Sequence, residues 1–245
     1  MATTQKPNTH TRTARVVGAL FLLATVTYMT GTGLIESLLT GSDYLLHIYP
    51  NQSQLIGGVL LQFVDAAAVV GIGVLLVPIV KRQSEPIALG YVATRILECV
   101  FLVVGGIAIL ALIGVSQATI QAGAPDTAAR TLGALLVDAR TTAYHIAMAA
   151  LGLGSLPFCY VLYRSRLIPR WLSLLGLIGY AALLIGSVLE IFGQDLQLIH
   201  NLPGGIFELI LPIWLIVKGF NLSVSGSDPA NSERNERTGM PISRA

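Results

Sequence analysis

The sequence predicts an all-α protein, a polytopic membrane helix bundle with six transmembrane helices and short interfacial helices in the outer loops. Three observations lead there. Of 245 residues, 53% are hydrophobic and only 11% charged, where a soluble domain carries about 25% charged residues. Six apolar runs, at 16–35, 55–80, 87–113, 143–163, 171–192 and 203–220, are long enough to cross a hydrocarbon core of about 30 Å. The basic residues, finally, fall almost entirely on one side of those runs.

That asymmetry sets the orientation. Lys6, Arg12, Arg15, Lys81, Arg82, Arg164, Arg166, Arg170, Lys218, Arg234, Arg237 and Arg244 share one side, and only Arg130 and Arg140 fall on the other. The positive-inside rule then puts both termini in the cytoplasm, as an even number of spans requires. The expected location is a bacterial cytoplasmic membrane. Nothing resembles a basic nucleic-acid surface, so the expected partners are the lipid bilayer and a small-molecule or lipid ligand; oligomeric state stays open.

Residues 1–14 are polar and Thr-rich and read as a disordered cytoplasmic tail, with a membrane domain over 15–220 and a second tail rich in Ser, Asn and charge over 221–245. The first run follows Arg15. It is too long for a secretory h-region and lacks an A-x-A-like exit, so it reads as an uncleaved span. Residues 38–54 are amphipathic, with Ser42-Asp43 as a helix cap before Tyr44, His47 and Tyr49, and predict a short interfacial helix ending before Pro50. Lys81 and Arg82 make a tight loop to Pro86, where the third run begins. Ala124-Pro125-Asp126 reads as a helix start. The mildly amphipathic 127–140 then predicts an interfacial helix leading into the fourth span; the alternative is one continuous helix that begins outside the membrane. Pro203 suits the first turn of the sixth span, and Pro212 marks a kink within it. Cys99 and Cys159 lie in different runs, about 12 Å apart in height by helix rise, and read as packing residues.

The costly stretch is in the third run. Its strongly apolar residues supply about −7 kcal/mol of insertion free energy, and Arg95 with Glu98 returns about +6. Tyr91, Arg95, Glu98, Leu102 and Gly105 follow i, i+4, i+7, i+11, i+14, one face of a helix that neighbours must cover. Arg95 and Glu98 are spaced to pair with each other; a cross-helix pair of Arg95 with Asp65 is the alternative.

Helix rise places the remaining polar groups in the outer half. Asp65 lies about 15 Å below the outer face, one turn from Gln62. His145, beside Tyr144, is one turn into the fourth span and Glu208 one turn into the sixth; Glu36 and Glu190 sit near outer ends, and His47, Asp138, Asp195 and His200 in outer loops.

Three readings compete. Interfacial residues and helix-locking ion pairs explain Glu36, Glu190 and Glu208 but not the deep Asp65. An outward-opening pocket for a small polar or amphiphilic ligand, lined by Asp65, Arg95, Glu98, His145 and Glu208, explains it, because ionisable groups inside a membrane mark sites by default. Gly152, Gly154, Gly176, Gly179 and Gly186 permit close helix approach or hinge motion. The third reading is a metal-dependent intramembrane hydrolase built on His145, His200 or His47 with a carboxylate, although no HExxH or comparable spacing appears. The residues favour the pocket and a non-enzymatic protein, with the hydrolase and a non-catalytic structural subunit of a membrane complex as alternatives. They name no cofactor and no catalytic residue.

Three stretches also carry a resemblance. They are Val69-Val70-Gly71-Ile72-Gly73 to Pro78 with Ala88-Leu89-Gly90-Tyr91, Arg95 and Glu98; Leu162-Tyr163-Arg164-Ser165-Arg166-Leu167-Ile168-Pro169-Arg170-Trp171-Leu172-Ser173; and Leu202-Pro203 through Phe207-Glu208 to Trp214-Leu215-Ile216-Val217-Lys218-Gly219-Phe220. In order and spacing, over roughly residues 12–221, the chain resembles a bacterial family of multi-pass membrane proteins of unknown function, DUF4386. The resemblance implies a six-helix membrane protein and transfers no activity, cofactor or site residue. Residues 114–142 match it least.

Overall fold

The computed structural model describes residues 9–196 and 199–221, with side chains from residue 11 onward. The described residues hold seven α-helices and no strand: α1 Thr9–Leu39, α2 Tyr44–Ile48, α3 Gln52–Val80, α4 Glu85–Ala122, α5 Thr127–Ser165, α6 Arg170–Ile191 and α7 Leu202–Val217, the last preceded by a 3-10 turn at Ile199–Asn201. Six helices, all but α2, are long and apolar enough to cross a membrane. The protein is a multi-pass membrane protein.

The six spans close into a ring in chain order. α1 packs on α3, α3 on α4, α4 on α5, α5 on α6, α6 on α7, and α7 returns to α1. Short connections force each helix to run antiparallel to its predecessor. One end of the ring therefore collects the start of α1, the 81–84 and 166–169 turns and Lys218, and is called the basic end below. The ring has its polarity reversed relative to a soluble core. Val26, Leu60, Ile107, Leu153 and Ile185 are all about 60% exposed, whereas Arg95, Glu98 and Asp65 are at most 5% exposed. That is the arrangement hydrocarbon surroundings require, since only helices with internally satisfied backbones and apolar outer faces fit there.

The basic half of the bundle is filled. Val17, Phe21, Ile72, Leu76, Tyr91, Phe158, Leu172, Leu211 and Leu215 form one buried cluster there. The α5–α6 turn closes it: Arg166 takes a left-handed conformation (φ 53°) that ends α5, Leu167 and Ile168 turn inward, and the Leu167 carbonyl accepts from the Asn221 amide at 2.8 Å. Gly154 lets α5 sit against Thr94 of α4, and Gly179 meets the backbone of Gly204 across the α6–α7 seam.

The opposite end departs from expectation. The short interfacial helix before Pro50 exists as α2, although Asp43 caps it by position and donates or accepts no side-chain capping bond. The second interfacial helix, expected over 127–140, is instead the first third of the continuous α5. Asp126 caps that helix through the Ala129 amide at 2.7 Å, as its sequence position predicts. The reason for continuity is packing. α4 runs on to Ala122, so α4 and α5 extend as a hairpin about 57 Å long, well beyond a 30 Å core. Leu136 and Val137 of that hairpin help bury Leu45 and Ile48 of α2. Ser116 ties the two together, accepting from the Tyr49 amide at 2.8 Å and donating to the Leu45 carbonyl. A separate interfacial helix would lose this wedge.

α1 begins at Thr9, so 9–14 are helical where composition alone reads a tail. The remaining tail segments, 1–8 and 222–245, lie outside the described residues.

Candidate functional site

The ring encloses a cavity of about 170 Å³ lined by all six spans. Its polar wall comprises Asp65 of α3, Arg95 and Glu98 of α4, Tyr144 of α5, Tyr180 of α6 and Glu208 of α7, with Tyr28 of α1 and Asn201 above α7. Phe21, Met29, Val69, Met148 and Leu183 supply apolar surface between them. Asp65 is thirteen residues from one end of α3 and fifteen from the other, so the cavity lies about 20 Å from either end of that helix.

The α4 side is bonded throughout. Arg95 Nη1 donates to Glu98 Oε2 at 2.9 Å, one helical turn away, while its Nε and Nη2 donate to the Tyr91 hydroxyl at 3.0 and 2.8 Å. Tyr91 is held in turn by stacking on Phe158, with ring centroids 4.4 Å apart. The guanidinium also lies 5.8 Å from the Phe21 ring centroid, within cation–π range. A Cβ at Gly73 would fall 3.3 Å from Arg95 Cγ, so α3 leaves the arginine stem only the room it occupies. The sequence left two partners for Arg95; Glu98 is the one it takes, and the cross-helix pair with Asp65 does not form.

Asp65 is different. It is 5% exposed, lines the cavity, and has no hydrogen bond and no ion pair among the described residues. Glu208 is engaged at one oxygen, which accepts from the Tyr180 hydroxyl at 2.8 Å. Pro212, one turn further along α7, has no N–H, so the Glu208 carbonyl also lacks its i+4 donor.

A second cavity of about 660 Å³ opens beside the first at the end opposite the basic one. The two share Tyr28, Met29, Leu102 and Tyr144. The rings of Tyr28 and Tyr144 stack across the boundary with centroids 6.2 Å apart, and Asn201 Nδ2 donates to the Tyr144 hydroxyl at 3.2 Å. At the outer rim Arg140 of α5 pairs with Glu36 of α1. The Tyr28–Tyr144 stack and the Arg140–Glu36 pair both bridge α1 and α5, which are not ring neighbours.

Of the five residues the sequence singles out, Asp65, Arg95, Glu98 and Glu208 line one cavity. Asp65 stands outward of Arg95, whose stem lies level with Gly73, two turns further along α3 toward the basic end. His145 is separate: it lines the outer cavity with Nε2 3.9 Å from Glu190 Oε2, and its buried Nδ1 has no partner. The histidines proposed for a metal do not converge. His47 is exposed on α2, His200 is packed against Gly186 of α6, and no three His, Cys, Asp or Glu side chains among the described residues are grouped to hold an ion. Cys99 and Cys159 are both free thiols.

Sequence reasoning passed over Tyr28 and Tyr180. A signal existed: Phe21, Thr25, Tyr28 and Thr32 repeat the i, i+4, i+7, i+11 spacing of the α4 stripe, as do Gly176, Tyr180, Leu183 and Ser187. Tyrosines in mid-span, away from the interfacial belt, are also unusual positions for that residue.

Comparison with curated proteins and with solved structures yields no match. The ring, its buried Arg95–Glu98 pair and the closing turn at Arg166–Pro169 all lie within residues 16–219, which match the family model described as Domain of unknown function (DUF4386); the chain belongs to that family.

Proposed function

We propose that this protein binds or passes a small polar or amphiphilic ligand through the cavity at the centre of its ring. It would do so in a bacterial cytoplasmic membrane, with both termini on the cytoplasmic side. The orientation rests on the cluster of Lys81, Arg82, Arg164, Arg166, Arg170 and Lys218 at one end of the bundle against Arg130 and Arg140 at the other.

One observation carries the ligand reading: Asp65, a carboxyl group buried at mid-membrane depth, faces an open cavity with no protein partner. Helix packing accounts for Arg95 and Glu98, whose bonds are complete within α4. It does not account for Asp65. Its carboxyl opens onto the cavity, where there is room for a bound partner and none comes from the protein. The hydrolase alternative has no converging ligand set to build on among the described residues.

Native mass spectrometry of the gently solubilised protein, with elemental analysis of the same sample, tests the reading. The expected result is a retained small molecule or lipid that is lost from Asp65→Asn while the variant keeps its fold. A clean apo spectrum together with an Asp65→Asn variant that unfolds would instead make Asp65 a packing residue. Topology is checked by thiol labelling of Lys81→Cys and Arg130→Cys in spheroplasts, with only Arg130→Cys expected to react from outside.

A further inference from the structure

We propose that the ligand of the central cavity is a small organic cation, a protonated amine with an apolar or aromatic body of about six to ten non-hydrogen atoms. This rests on the ligand-binding reading above and adds the charge, size and shape of the occupant.

The charge follows from a count within the cavity. Three carboxyl groups, Asp65, Glu98 and Glu208, face it with a single guanidinium. Arg95 directs Nη1 to Glu98 and both Nε and Nη2 to Tyr91, so its counter-charge is already supplied within α4. Asp65 and Glu208 remain, both acceptors. An anionic ligand would meet two further carboxyl groups and no cation without a counter-charge. A neutral ligand would leave Asp65 without a charged donor. An ammonium group gives it a charge-assisted hydrogen bond, about twice as strong as a neutral one.

The body of the ligand follows from the rest of the wall. Phe21, Tyr28 and Tyr144 offer aromatic surface, which attracts a cation. Met29 and Met148 are pliable thioethers that mould to a hydrocarbon. A bare metal ion would need several converging oxygens, and no such group exists among the described residues. The volume of about 170 Å³ is close to that of an engineered cavity of about 150 Å³ that takes up benzene, which sets the size. The approach is consistent: the outer cavity carries Glu36, Glu190 and Asp195 against Arg140, a net acidic mouth that draws cations in.

Three probes of one shape separate the possibilities: benzylamine, benzyl alcohol and benzoate, titrated by calorimetry against the full-length protein in nanodiscs at neutral pH. Benzylamine is expected to bind at least about tenfold more tightly than benzyl alcohol, and benzoate not at all. Asp65→Asn should bring benzylamine down to the level of the alcohol. If Asp65→Asn does not fold, Glu208→Gln serves, with a smaller expected loss. Alcohol or benzoate binding as tightly as the amine overturns the cation assignment and leaves the ligand reading standing. So does amine binding that survives both Asp65→Asn and Glu208→Gln. Failure of all three probes, in a protein whose native mass spectrum also carries no retained molecule, overturns both.

Discussion

Arg95 and Asp65 face each other across one cavity, at 1% and 5% exposure, and they are built in opposite ways. On the α4 side each nitrogen of the guanidinium donates one hydrogen bond, to Glu98 or to the Tyr91 hydroxyl, and both partners come from the same helix within about one turn. On the α3 side a carboxyl of equal burial has nothing. Burial therefore does not separate structural charges from functional ones in this membrane protein. What differs is satisfaction: Arg95 has partners within its own helix, and Asp65 opens onto the cavity without a hydrogen bond or ion pair.

The sharpest way to break this comparison is to remove Arg95. Arg95→Met leaves Glu98 a buried carboxylate without its counter-charge, and is expected to destabilise the protein by about 3–5 kcal/mol. Arg95→Met with Glu98→Met should recover most of that loss, because replacing a buried ion pair by apolar side chains is often neutral or stabilising. Unfolding in mixed micelles across the full double-mutant cycle measures both. A double variant as damaged as Arg95→Met would mean that Arg95 also holds something outside α4.

Next in size is the seam that forms the cavity's back wall. A Cβ at Gly179 would lie 2.7 Å from both the Cα and the N of Gly204. That neighbour is backbone and cannot rotate aside, so Gly179→Ala should cost about 1–3 kcal/mol by forcing α6 from α7. Gly90 of α4 has nothing within 4 Å of its Cβ position. Gly90→Ala should instead gain about 0.5–1 kcal/mol from helix propensity. Thermal unfolding midpoints in one detergent compare the two directly; equal shifts would deny the close contact at the seam.

How much of this was legible in the sequence follows the same division. The Arg95–Glu98 pair was in part: i, i+3 spacing on a helix brings the two within reach whatever surrounds them, but it left Asp65 as the alternative partner. The six spans were, because membrane thickness sets a length that apolar runs either meet or miss. The surroundings of Asp65 were not, since two helices can turn their polar faces together or apart and spacing along one chain does not say which. The closed ring in chain order decides it by placing Asp65, Glu208 and Tyr180 around one axis. The continuity of α5 was hidden for a related reason. Arg130, Asp138 and Arg140 make 127–140 too polar to span, which reads as a separate element until α4 is seen to run on and α2 to pack against the pair. His145 lies at the depth of the inner cavity's α5 wall, Tyr144 and Met148, but one residue round the helix from Tyr144 it faces the outer cavity instead.

On the open side the expected effects on stability are small. Asp65→Asn removes a charge that has no partner to lose, so stability should stay within about 1 kcal/mol of the parent and shift upward if it shifts at all. A loss as large as that of Arg95→Met would erase the distinction between the two sides and make Asp65 a structural residue.

The smallest effect belongs to the rim. Glu36 and Arg140 pair across α1 and α5 with side chains 54% and 15% exposed, a setting in which ion pairs contribute about 0.2–1 kcal/mol. Arg140→Gln should therefore hardly move the unfolding midpoint. It removes the one arginine from an otherwise acidic mouth and releases a bridge between helices that do not pack along the ring. Entry of benzylamine, followed by stopped-flow fluorescence from the intrinsic aromatic residues, should accelerate while its equilibrium affinity changes little, because the seat at Asp65 is untouched. The acceleration should shrink as salt rises, since the field at an exposed mouth is screened over about 10 Å at 0.1 M ionic strength. An unchanged entry rate at low salt would mean that passage to the cavity is limited deeper, at the Tyr28–Tyr144 stack, where Tyr144→Phe keeps the ring and removes only the hydroxyl to which Asn201 donates.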